Sequence, residues 1–534
     1  MTDTPPFDRR SLLLSAILAV TIVFLSGAMA VYVVADRDLR AALRLGAVAS
    51  EIDQLYAGHI DRDQLIHSAR QAMFEKLDRF SGYMDRRQFS QMSEEFSGGY
   101  GGIGISVLSH DLGLLIMSVR EGGPAARAGL LTGDVIIAVD SLKLAGLSPN
   151  EASDRLRGPE GTKVKLDIFR PATSDTLSVE LTRARIPLLH VPYAGMTPDS
   201  MLYIRVLDFE SGASRDINDA LDTLVVNGRH SPRGVILDLR GNPGGLLVEA
   251  YRTANLFLDK DKFIVGTDGR SRWNEERHYS TGPDLTNGLP MAILVDNGSA
   301  SASEIVAGSL HQLGRALLVG DTTFGKGLVQ GITQLSDGSG LRLTISRYYL
   351  EGGLYLNRFD STLSDTGSGL APDYPVKFVE REEFPLDIEM SLLLQKFANL
   401  HQDEIITASQ ILILPKLWVD RFRSFARDSG FIYTSSQTRS ARLLVELAVV
   451  EQSTKPVLDA AVEILHKSQQ DDMAQFDRYG EYIRTRLKQL AWERKYGTYR
   501  EYADVIVQER PDIQYAAHLL TEGKQPRPVI ESGT

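Results

Sequence analysis

The chain has 534 residues, 43% of them hydrophobic and 24% charged, which is enough for several domains and too apolar for wholesale disorder. A net charge of −11 at pH 7 argues against nucleic-acid partners, which need a basic face. Cysteine is absent, so thiol nucleophiles, disulfides and Cys-ligated zinc are excluded, although the compartment is not fixed by that alone.

Residues 1–11 read as a short cytoplasmic tail ending in Arg9 and Arg10. Residues 12–35 carry no charge, and at about 1.5 Å per residue a helix of that length reaches about 35 Å, enough to cross a bilayer core. Arg9 and Arg10 favour the N-terminus inside, while Arg37 and Arg40 blunt that bias. A cleaved signal peptide is the rival reading, because Ala28-Met29-Ala30 has the small-x-small form of a cleavage site. The apolar run continues past that site and is long for a signal core, which favours an uncleaved anchor.

From 36 to 96 apolar residues recur at helical spacing (Leu39, Leu43, Val48, Ile52, Leu55, then Leu65, Ala69, Met73 and Leu77), predicting a helical arm that serves as a spacer or a dimerisation element. At 97 the composition changes to SGGYGGIGISV. Strand-like runs at 104–108, 114–119, 134–139 and 163–170, with a helix over 148–156, predict a small α+β domain spanning 97–185. From 186 to 380, short apolar runs at 201–206, 234–239, 291–295 and 316–319 alternate with helical runs at 214–226, 247–257 and 303–313, the pattern of a layered α/β domain. Residues 381–534 read as all-helical, with a break at Pro415 and further helices at 442–450 and 457–465. The α/β core does not require them.

The densest chemical signal is DNGSASASEIVAGSLHQL (296–313), followed by GDTTFGKGLVQ (320–330). Ser301 falls where a strand hands over to a helix N-terminus, a place with free backbone N–H groups and positive potential for an oxyanion. The same Ser301 with Glu304 fits a capping box, which needs no chemistry. Lys326 lies between Gly325 and Gly327, where close packing can bury it, and burial favours a neutral amine that can act as a base. Residues 320–326 also satisfy G-x-x-x-x-G-K, but a phosphate-binding loop needs Ser or Thr next and 327 is Gly. The run VILDLRGNPGGL (235–246) ends in a glycine turn that either offers an amide to an oxyanion or simply turns the chain. The ten histidines show no ligand spacing, so neither metal nor cofactor is expected. His311, one of them, sits ten residues down the helix, about 15 Å from Ser301 and too far to activate it. There is no G-x-S-x-G elbow.

Taken together and in order, YGGIGI, GPAARAGLLTGDVI, LRGPEGTKV, DLRGNPGG, NGSASASE, GRALLVGDTTFGKG and LVQ make the stretch from about 45 to 380 resemble the C-terminal processing peptidases, or tail-specific proteases. The resemblance implies a nucleophile at Ser301, a general-base lysine at Lys326 oriented by Gln330, and an oxyanion hole of the Gly245 and Ala302 amides. Gly244, adjacent to Gly245, leaves the alignment there open. It further implies that 97–185 is a PDZ domain whose loop at Gly102, Ile103, Gly104 and Ile105 receives a peptide's terminal carboxylate. The strand 105–107 and the helix 150–156 would then flank the tail.

The expectation is a multidomain α+β chain: an N-terminal membrane helix and helical arm, a PDZ-like domain, a layered α/β Ser-Lys protease core and an all-helical C-terminal region. Its expected activity is extracytoplasmic endoproteolysis of protein substrates chosen by their C-terminal tails. The chain would be held in a bacterial inner membrane with its bulk in the periplasm, and homo-oligomerisation is open. The rival is a catalytically inactive scaffold on the same fold.

Overall fold

The run VILD at 235–238 shows no polar alternation, and a strand of that kind needs cover on both faces. The computed structural model describes residues 18, 20–22, 24, 37–96, 99–120, 122–171, 173, 175–187, 189–226, 228, 231–271, 275–356, 358, 369–377, 382–409 and 414–527. In it the run forms the fully buried strand Gly234–Asp238. The strand lies within a six-stranded sheet ordered Tyr193–Met196, Met201–Arg205, Gly234–Asp238, Met291–Val295, Leu317–Gly320, Tyr374–Pro375. The first pair is antiparallel and the remaining neighbours are parallel.

Parallel strands in sequential order need a crossover each, and right-handed crossovers place every connecting helix on one face. The helices Ala213–Leu221, Leu247–Asn255 and Ala302–Gln312 are those connections. Their Ile217, Ala254 and Ile305 pack with Leu202, Leu237 and Ile293 of the sheet. This topology leaves the opposite face bare. The helix Pro511–Thr521 covers it, packing Ile513, Ala516 and Leu520 against Tyr203, Ile236 and Leu294. Burying Ile513 and Leu520 contributes roughly 1.5–3 kcal/mol per side chain. Residues 381–534 read from the sequence as a region the core does not need; the structure makes this helix the core's second layer.

The rest of that region builds a helical core of its own, in which Phe384, Phe397, Trp418, Phe422, Ile483 and Leu487 are buried together. The break expected at Pro415 falls between the helices Gln402–Ala408 and Leu417–Asp428.

The PDZ sheet runs Ile105–His110, Gly113–Val119, Val135–Val139, Lys163–Arg170, Asp175–Thr182, which leaves Ile105–His110 as an edge strand. The helix Pro149–Leu156 packs beside it, with Ala152 and Leu156 in the domain's core. Entry to and exit from the domain are joined as a ribbon, Gly99–Gly102 pairing antiparallel with Ala184–Pro187. On another side, Arg494 of the helical region donates to the Thr132 carbonyl.

The chain divides into two compact units, 1–86 with 331–343, and 87–330 with 344–534. In the first, the helices Arg37–Leu55 and Arg62–Phe74 lie within the stretch 36–96 that reads from the sequence as a helical arm, and the strand Gly82–Met84, also within it, pairs with the segment 340–342. Among the described residues no helix is long and apolar enough to cross a membrane. The expected span 12–35 lies almost wholly outside the described residues.

Candidate active site

Ser301 ends the turn after strand Met291–Val295 and caps the helix Ala302–Gln312 with φ 55° and ψ −113°. A non-glycine residue at positive φ costs energy and persists only where its surroundings hold it. Here the holding group is Glu304, fully buried one turn down the helix. Its Oε2 accepts the Ser301 N–H at 2.9 Å and the Lys326 N–H at 2.8 Å, while Oε1 accepts the Gly325 N–H at 2.7 Å and the Thr323 hydroxyl at 2.5 Å. Burial raises the Glu304 pKa, and these four donors act against it. One carboxylate therefore fastens the serine turn to the lysine turn. Sequence reading weighed Glu304 only as a helix cap; the S-x-x-E spacing was visible, but its second set of partners was not.

The three serines of the turn are chemically distinct. Ser299 is buried and donates to the Leu239 carbonyl at 2.8 Å while accepting the Asp296 N–H at 3.0 Å. Ser303 is buried and donates to the Asn242 carbonyl at 2.9 Å. Ser301 alone of the three is partly exposed. Tyr348, buried on the strand Gly340–Leu350, places its hydroxyl 3.4 Å from the Ser301 carbonyl.

The glycine turn lies directly against this serine. A side chain on Gly244 would meet the Ala302 nitrogen and Ser301 Cβ, each at 2.9 Å, so only glycine fits. The Gly244 N–H is taken by Asn242 Oδ1 at 2.9 Å, and its carbonyl accepts the Phe209 N–H at 2.8 Å. Gly245 follows at φ 151°, opposite Phe209. With Gly244's amide engaged, Gly245 is the glycine whose amide suits an oxyanion. Ala302 is the first residue of its helix, so its N–H has no intrahelical acceptor.

Lys326 is half-buried between Gly325 and Gly327. A Cβ on Gly327 would lie 1.6 Å from the Leu356 carbonyl oxygen, so the position that a phosphate-binding loop gives to Ser or Thr must here be glycine. The segment then continues as the strand Leu328–Gln334 rather than a helix, which rules out that loop. Gln330 lies on this strand, and its buried Nε2 has no hydrogen-bond partner among the described residues. His311 closes the far end of the serine helix, its Nε2 3.0 Å from Asp373 Oδ1.

In the PDZ domain, Gly102 belongs to the entry ribbon, and Ile103 is buried with its carbonyl accepting the Ala125 N–H at 2.9 Å. Gly104, at φ 78°, leads into Ile105 at the start of the edge strand. An edge strand beside a helix is the arrangement that lets an extended peptide add to the sheet.

Residues 200–376 match peptidase family S41, and residues 115–170 match the PDZ domain. The chain is 35% identical over 316 residues to the carboxy-terminal processing protease CtpA of Bacillus subtilis, covering 59% of this chain and 66% of that protein. It is 35% identical over 335 residues to the carboxy-terminal-processing protease of Bartonella bacilliformis, covering 62% and 74%. With CtpB of Bacillus subtilis it shares 33% identity over 349 residues, covering 64% and 70%. The sheet, the strained serine turn and these matches define a serine peptidase of family S41 that carries a PDZ domain. Within that class the chain belongs to the carboxy-terminal processing proteases.

Proposed function

We propose that the chain is an endopeptidase in which Ser301 and Lys326 act as a dyad on proteins captured by their C-terminal tails. Ser301 Oγ attacks the scissile carbonyl carbon as its proton passes to Lys326 Nζ. The tetrahedral oxyanion is held by the N–H groups of Gly245 and Ala302, aided by the positive end of the helix Ala302–Gln312. Lys326 returns the proton to the leaving amine, and water then releases the acyl group. Gln330 orients the lysine, and its buried Nε2, which has no hydrogen-bond partner among the described residues, supports that role. The observation that carries the reading is the Glu304 carboxylate, which accepts the backbone N–H groups of both Ser301 and Lys326.

The loop at Gly102, Ile103, Gly104 and Ile105 receives the substrate's terminal carboxylate, and the tail adds to the edge strand. Supporting this are the edge of Ile105–His110, which pairs with no further strand among the described residues, and the neighbouring helix Pro149–Leu156. Residues 12–35 anchor the chain in a bacterial inner membrane with its bulk in the periplasm, a reading supported by the uncharged run and by Arg9 and Arg10 before it.

The test is cleavage of an unfolded protein such as casein by the full chain in detergent. Wild type should cleave. Lys326→Arg should fold by circular dichroism and be inactive, because a guanidinium keeps the charge but cannot accept a proton. Substantial cleavage by folded Lys326→Arg would show that the lysine supplies only charge, and the dyad would have to be abandoned.

A further inference from the structure

The turn that carries Gly245 hangs from the end of strand Gly234–Asp238, and that end is fixed from the helix Pro511–Thr521. Arg240, buried at 8% exposure, stands between strand and turn. Its Nε donates to Asp238 Oδ1 at 2.8 Å, and its Nη2 pairs with Asp238 Oδ2. Its Nη1 reaches Asp512 Oδ2, on the covering helix. Asp512 is itself buried and braced by Arg510, whose Nε and Nη2 lie 3.1 and 2.6 Å from its two carboxylate oxygens. The guanidinium is thus held between a carboxylate of the sheet and one of the C-terminal helix. Five residues beyond Arg240 lies Gly245. Between them, the Gly241 N–H is tied to Asp296 Oδ1 at 2.8 Å, and the Asn242 carbonyl accepts the Ala300 N–H at 3.0 Å. Arg240 thus stands where the turn leaves the sheet, and the turn lies against Ser301.

We propose that Asp512 is a positioning residue for the oxyanion turn: it fixes the Arg240 guanidinium, and Arg240 fixes the segment 239–245 relative to Ser301. This rests on reading Gly245 as an oxyanion donor, and it gives the C-terminal helix a part in the rate of cleavage. Without the Asp512 carboxylate, the buried guanidinium loses its anchor on the covering helix and can swing. A shift of about 1 Å in the amide it positions costs up to about 100-fold in rate.

The experiment compares full-length wild type, Asp512→Asn and Leu520→Ala by melting temperature, by kcat and KM on casein, and by labelling of Ser301 with a fluorophosphonate. Leu520→Ala trims the same helix where it faces the sheet and leaves the ion network alone. Asp512→Asn should lose about 10- to 100-fold in kcat and in labelling rate with KM within about two-fold, while Leu520→Ala lowers the melting temperature and keeps kcat. In an Arg240→Gln background, Asp512→Asn should cost nothing further, because its effect runs through that arginine. If Asp512→Asn does not fold, Asp512→Glu decides, since it keeps the charge but lengthens the arm and should fold with reduced kcat. The inference is overturned by a folded Asp512 variant with wild-type kcat, by equal kcat losses in Asp512→Asn and Leu520→Ala, or by additive losses with Arg240→Gln. Failure of the wild type to cleave or label would instead sink the serine-protease reading and this inference with it.

Discussion

Glu304 Oε2 receives the main-chain N–H of Lys326 at 2.8 Å across 22 residues of sequence, and the same oxygen receives the N–H of Ser301 at 2.9 Å. In Glu304→Gln an amide group replaces one of the two accepting oxygens, so some of the four arriving donors face a donor. Each buried donor left unmet costs about 1–3 kcal/mol. Glu304→Gln should therefore melt several degrees lower and cleave at least about 10-fold more slowly. Parallel melts and cleavage assays check this, and a folded variant with the wild-type rate would show that the carboxylate does not join the two turns.

The three serines should separate cleanly. Ser301→Ala removes a partly exposed hydroxyl and should leave a folded, inactive chain. Ser299→Ala deprives the Asp296 N–H of its acceptor at a buried site, so it should destabilise by about 1–3 kcal/mol and still cleave. Ser303→Ala leaves the Asn242 carbonyl with the Ala300 N–H, so its cost should be nearer 0.5–1.5 kcal/mol, roughly that of one hydrogen bond. Denaturant melts alongside casein cleavage give both numbers. Normal proteolysis by Ser301→Ala would remove it as nucleophile.

Tail recognition can be measured without turnover in the full-length Ser301→Ala chain. Peptides with an apolar C-terminus should bind at least about 10-fold more tightly as free acids than as amides, because amidation removes charge-assisted hydrogen bonds to backbone N–H groups. Fluorescence anisotropy decides the point. Equal affinities would mean that the loop at Gly102–Ile105 does not read the carboxylate.

Glu501 supplies a pH dependence. Burial pushes its pKa up to about 8, the nearby Glu493 adds to the rise, and Arg486 opposes it. Between about 4.5 and 8 the folded chain holds this proton and the unfolded chain does not, so the group's contribution to stability falls as pH rises through that window and levels off above it. Glu501→Gln stays neutral in both states. Relative to wild type it should be about equal near pH 5 and more stable near pH 8.5, by on the order of a few kcal/mol. Urea titrations at the two pH values test this, and a difference that does not change with pH would contradict it.

Much of the fold was legible because its elements follow local patterns. Continuous apolar runs marked the parallel strands at 234–239 and 291–295, and 3.6-residue spacing marked the helices between them. Strands whose burial is set by remote neighbours were not visible. DTLSVELT forms the strand Asp175–Thr182 with six of its eight residues exposed, whereas Gly340–Leu350 mixes buried and half-buried positions with only two exposed ones and no regular alternation. At the site, the motifs brought Ser301, Lys326 and the glycine turn together, but the capping reading hid the second role of Glu304. Asp512 could not be foreseen, because its partner Arg240 lies 272 residues away and only the strand order reveals a sheet face in need of cover.

The strand Tyr374–Pro375 completes the protease sheet, whereas the helix that closes its second face begins at Pro511. Chains leave the ribosome N-terminus first, at roughly 5–20 residues per second. Ser301, Lys326 and the glycine turn are therefore all translated while Tyr203, Ile236 and Leu294 still lack their covering layer and Arg240 still lacks Asp512. The residues read as the cutting machinery are thus complete in the chain before the helix that covers the sheet's second face has been made.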